Sequence, residues 1–91
     1  MNVILVNIEP HGFFCVAADV ASAVEALMED GWLDEHFVIG WNEIADTACT
    51  IKDELGANWA NIISEFSVEL FNDFFEGAFF LDVQNVYKKG E

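Results

Sequence analysis

The chain has 91 residues, 54% of them hydrophobic and 14% aromatic, with seventeen Asp and Glu against three Lys, no Arg and a formal net charge of -14. That length is suited to one core and leaves too little chain for a second, and the apolar fraction excludes a disordered acidic tail, which could not offset chain entropy by burial. With Lys52 the only cation before residue 88, direct binding of nucleic acid or of anionic substrates is disfavoured, because both rest on Lys and Arg.

Asn2 to Ile8 is an apolar run closed by Glu9-Pro10-His11-Gly12, and Phe13 to Ala17 is a second; together they predict a hairpin on a four-residue polar turn. The first run is apolar on both faces, so it is expected to be a covered, central strand. Asp19 is a good helix N-cap, and Val20, Val24, Leu27 and Met28 follow at helical spacing while Ser22, Glu25 and Glu29 share the other side. Gly31 ends that helix. His36 to Trp41 is β-rich and predicts a third strand after a tight Trp32 to Glu35 connection, giving a β-β-α-β start.

Thr50 with Asp53 then forms a capping-box-like start to a helical pattern through Ile51, Leu55, Trp59, Ile62, Ile63 and Phe66, with a break expected at Gly56. Ser67 caps another short helix through Val68, Phe71, Phe74 and Phe75, terminated by Gly77. Ala78 to Leu81 predicts a last strand, and Asp82 a cap for a final turn to Tyr87. The fold class is α+β: one small mixed or antiparallel sheet covered by two to three helices, in a single domain spanning residues 1–91.

No motif for catalysis or cofactor binding is present: there is no Gly-rich phosphate loop, no G-x-S-x-G, no C-x-x-C, no H-E-x-x-H and no Ca-binding loop. His11, Cys15, His36 and Cys49 are ligand types that zinc accepts, but no pair has a ligand spacing. Both cysteines are therefore expected reduced and buried, and both histidines in turn or strand-edge positions. Adjacent carboxylates such as Glu29-Asp30, Asp34-Glu35 and Asp53-Glu54 are expected by chance in so acidic a chain, so no catalytic, metal or cofactor residue is assigned. The run Val3-Ile4-Leu5-Val6 is too short to span a membrane and lacks a basic leader, which points to the cytoplasm.

The position of the acids carries more information than their number. A carboxylate destabilises a helix at its C-terminal end, yet Glu29 and Asp30 close the first predicted helix, Glu65 the second, and Asp73 with Glu76 the third. Glu25 and Glu29 add a like-charge pair one turn apart. Local rules broken without compensation mark positions held for function. Halophily would also give such an imbalance, but it goes with lean cores, and nine Phe with three Trp are not lean.

In size, in an acid excess carried on an aromatic-rich core, and in the near absence of Lys and Arg, the chain resembles the small acidic DNA-mimic proteins of phages and mobile elements, the anti-restriction and anti-CRISPR inhibitors. The resemblance is one of class and rests on no alignable motif, so no family residue is carried over. It implies a non-enzymatic inhibitor that occupies the basic nucleic-acid-binding groove of a host defence or DNA-processing protein, in the cytoplasm of the host cell if the gene is a phage's. The contact residues expected from the charge pattern are Glu25, Glu29, Asp30, Asp34 and Glu35, with Asp73 and Glu76 as a second group. Trp32 and Trp41 are assigned to the core, with anchoring of a contact as their other use. The alternative is a structural or regulatory interaction module, a homodimer built on Phe71, Phe74, Phe75, Phe79, Phe80 and Tyr87, with charge serving solubility. A metal-dependent protein is a third, more distant reading.

Overall fold

The computed structural model describes residues 2–85. In chain order the elements are β1 (Asn2–Ile8), β2 (Gly12–Ala17), α1 (Val20–Glu29), β3 (Val38–Asn42), β4 (Thr47–Thr50), α2 (Ile51–Leu55), α3 (Trp59–Ser64), α4 (Val68–Phe74) and β5 (Phe79–Asn85). The fold is α+β, with a three-stranded antiparallel sheet in the order β2-β1-β5 and a separate two-stranded sheet, β3-β4.

The hairpin forms where the sequence predicts it. The Glu9-Pro10 peptide is cis. Gly12 takes φ 96, a left-handed conformation open to glycine, where the polar turn leads into β2. β1 then pairs with β2 from Ile4 opposite Ala17 to Ile8 opposite Gly12, with a bulge between Val6 and Asn7. On its other edge β1 pairs with β5 in continuous register, Asn2 opposite Asn85 through Ile8 opposite Phe79. β1 is thus central, as its composition implies.

Side chains alternate across a strand, so Ile4, Val6, Ile8, Ala17, Phe79 and Leu81 share one face, and all six are buried. The helices cover that face. Val20, Ala23, Val24 and Leu27 of α1 join Leu33, Ile51, Trp59, Ile63, Phe71 and Phe75 in the same core. The side chain of Asn72 in α4 accepts from the Leu81 amide at 2.7 Å and donates to its carbonyl at 3.0 Å, standing in for a strand on the free edge of β5.

Helix starts are set locally. Asp19 accepts from the Ser22 amide at 2.7 Å and Ser67 from the Leu70 amide at 3.1 Å. Thr50 and Asp53 make the reciprocal bonds of a capping box. Gly56, at φ 83, breaks the helical pattern into α2 and α3, so four helices stand where two to three were expected.

Three expectations are corrected. The predicted third strand does not join the main sheet: it lies at Val38–Asn42 and pairs with Thr47–Thr50, a strand whose short polar sequence gave little signal. Asp82 caps no turn, because β5 runs through it to Asn85; Tyr87 lies outside the described residues. The two cysteines are free but only half-buried. Burial, and then the charge of Asp30, push the Cys15 thiol up.

Candidate functional site: an anionic pole and a projecting arm

Topology brings several of the predicted acids together. β2 leads away from the turn at Glu9 to His11, α1 returns toward it, and α4 ends where β5 begins opposite Ile8. The C-terminal ends of α1 and α4 therefore both lie toward the hairpin-turn end of the sheet. Contacts agree: the Glu9 amide donates to the Ala78 carbonyl at 2.9 Å, and the His11 ring lies 5.4 Å from that of Trp32, just past α1. Trp32 in turn donates from Nε1 to Asp30 Oδ2 at 2.7 Å.

Two helix ends, each the negative end of its dipole, thus carry Glu29 and Asp30 on one and Asp73 and Glu76 on the other. Glu9 from the turn joins them. Its presence was not anticipated, since only the fold shows which helix ends the turn meets. Glu9, Asp73 and Glu76 surround an open depression of about 480 Å³, with Asn72, Gly77, Phe79 and Phe80 completing its wall. No three described His, Cys, Asp or Glu residues are arranged to hold a metal ion.

The remaining predicted residues leave the pole on either side. Glu25 sits one turn back on the exposed face of α1. Asp34 is engaged locally, its Oδ1 accepting from the His36 amide at 2.8 Å. Glu35 departs from the expected pattern: its carboxylate lies 3.2 Å from Lys52 Nζ and 3.5 Å from His36 Nε2. The single Lys of the described residues is therefore taken, and by an acid outside the pole. Glu65 caps α3.

From the same end rises the β3-β4 hairpin. Its root is fixed where the Phe37 ring packs 5.2 Å from Phe79 and 5.7 Å from Phe75, and where the Ile51 amide donates to the Phe37 carbonyl at 2.8 Å. Beyond the root both faces are largely solvated, and the molecule measures 59 × 26 × 22 Å. Asn42 Oδ1 accepts from the Ile44 and Ala45 amides, each at 3.1 Å, and shapes the tip between Glu43 and Asp46.

Trp41 on this arm is 60% exposed, and Trp32 beside the pole 38%, so neither is the core residue that composition suggested. Trp59 is the buried one of the three. Conversely, Phe71, Phe75 and Phe79 are core and Phe74 is half-buried; of the described rings in the Phe-rich segment Phe80 alone is exposed. A dimer face built on that segment has little surface to use.

No protein-family model matches this chain, and comparison with curated proteins and with solved structures gave no significant match. No described helix is long and apolar enough to cross a membrane.

Proposed function

We propose that the protein is a non-enzymatic acidic inhibitor whose anionic pole docks into the basic nucleic-acid-binding groove of another protein and excludes the nucleic acid by competition. The observation that supports this reading is the gathering of Glu9, Asp73 and Glu76 around one open depression, with Glu29 and Asp30 at the α1 C-terminus toward the same end of the sheet and the one described Lys paired to Glu35 instead. Charge placed there opposes helix stability, and among the described residues no cation pairs with it, although Asp30 accepts a hydrogen bond from Trp32. A cationic partner would neutralise it.

A groove built for duplex DNA expects about one charge per 1.7 Å of axis, and sixteen carboxylates within residues 2–85 make the whole body attractive to such a groove. Steering by this field speeds association and makes it sensitive to salt. Asp34 and Glu35, at the root of the arm, and Glu25, along α1, extend the track from the pole.

The test begins with capture on the immobilised chain at low ionic strength and elution by salt, followed by identification of what is eluted. The identified protein is then loaded with a fluorescent nucleic-acid duplex and titrated with the chain. Displacement of the duplex by the wild type, and displacement at least ten-fold weaker by the variant Glu29→Gln, Asp30→Asn, Asp73→Asn, Glu76→Gln, is the expected result. Binding without displacement sinks the proposal.

A further inference from the structure

The three-stranded sheet has a second face, and no described element packs on it. Val3, Leu5 and Asn7 of β1 point there, with Phe13 and Val16 of β2 opposite Asn7 and Leu5, and Phe80 and Asp82 of β5 on the other side. Phe13 is 62% exposed, Val16 55% and Phe80 45%. Val3 and Leu5, although half-buried by their strand neighbours, take no part in the core under the helices. β1 is apolar on both faces, a pattern that belongs to a strand covered on both.

We infer that this open face is covered by a second copy of the same chain, sheet against sheet. Charge selects the occupant. In a protein of net charge -14 the acid of this face is Asp82, whose Oδ2 accepts from Gln84 Nε2 at 2.8 Å. A cationic partner is drawn to the pole, whereas the middle of this face presents no row of carboxylates to a copy of itself; Phe80, at its edge, also lines the depression of Glu9, Asp73 and Glu76.

The area is also of the right order. Taking about 150–250 Å² for an aromatic side chain, the exposed parts of Phe13, Phe80, Val16, Leu5 and Val3 amount to roughly 350 Å² of apolar surface per copy. A homodimer interface of about 800 Å² per partner, about 65% apolar, needs roughly 500 Å². Backbone and the aliphatic parts of Asn7 and Gln84 lie on the same face. Two sheets meeting at the usual separation of about 10 Å would interdigitate these side chains.

Like-charged copies repel at long range, so dimerisation strengthens as salt is added, the opposite sign from docking to a cationic partner. Sedimentation equilibrium of the full chain across protein and salt concentration reads this directly. The expected result is a species of twice the 10.2 kDa monomer mass whose dissociation constant falls with salt. Phe13→Thr with Val16→Thr, which keeps β-branched residues on β2, is expected to raise that constant at least ten-fold.

Circular dichroism checks that the variant is folded. Isotope-filtered NOEs between labelled and unlabelled wild-type chains give a readout free of substitution, with contacts expected from the Leu5 and Val16 methyls to the Phe13 and Phe80 rings. A wild type that stays monomeric at every salt concentration overturns the inference, as does a dimer whose intermolecular NOEs arise from other residues.

Discussion

Replacing Glu25 and Glu29 together by Gln should stabilise the fold. Both are exposed on α1, one turn apart, and neither is paired with a cation among the described residues. Removing a like-charge pair at that spacing contributes about 0.2–0.5 kcal/mol, and removing the Glu29 charge from the helix C-terminus about 0.3–1 kcal/mol. Gln and Glu have similar helix propensity, so the sum, about 0.5–1.5 kcal/mol, is electrostatic. For a domain of this size that is a rise in Tm of several degrees, at about 4–8 °C per kcal/mol. The assay is urea unfolding by circular dichroism at about 0.01 M and about 1 M salt, where the Debye length falls from about 30 Å to about 3 Å. The gain should be largest at low salt and shrink at high salt. A variant no more stable than wild type, or a gain indifferent to salt, would refute the reasoning that these acids stand where folding disfavours them.

Acid should act through the helix caps. Amide hydrogen bonds from Ser22 and Thr50 hold the carboxyls of Asp19 and Asp53 below their ordinary value of 3.8. A group depressed on folding stabilises the native state above its unfolded value, and the contribution is lost as pH falls through the lower folded value. The stability difference between wild type and Asp19→Ala, followed by urea unfolding, should therefore be constant above pH 3.8 and narrow below it. Phe71→Ala should cost about 3–5 kcal/mol, since its ring is fully buried and lies 4.6 Å from that of Phe75. That is a large share of the roughly 5–15 kcal/mol typical of a domain, and the urea midpoint measures it.

Features that depend on a few neighbouring residues were legible in the sequence. Asp19, Ser67 and the Thr50-Asp53 box start helices by bonds across three residues, and Gly56 breaks one through its own backbone conformation. The β1-β2 hairpin follows from a polar turn between two apolar runs. Features set by distant contacts were not legible. Thr47–Thr50 becomes a strand only because β3 lies beside it, and Trp41 is exposed because that pair projects from the body. Nothing in a hydrophobic pattern distinguishes Phe13 and Phe80 from Phe71 and Phe79; the register of three strands decides which face each takes.

The acids were legible in part. Glu29, Asp30, Asp73 and Glu76 could be placed at helix ends, but the meeting of Asp73 and Glu76 with Glu9 depends on antiparallel returns that local reasoning does not reach. Proximity in the chain groups Glu35 with them, whereas the fold sets Lys52 against it. The surface read from composition as a uniform charge thus resolves into a pole with no cation paired to it among the described residues, an acid paired with Lys52 beside it, and an open sheet face whose acid is Asp82.

The central claim is that the pole is held for a cationic partner. Its most direct test is the affinity of the captured partner, measured from low to physiological salt, for wild type and for the variant Glu29→Gln, Asp30→Asn, Asp73→Asn, Glu76→Gln. Wild-type affinity should fall steeply as salt rises, and the variant should bind more weakly with a shallower dependence. Equal affinity of the two proteins, unchanged across that range, would contradict it.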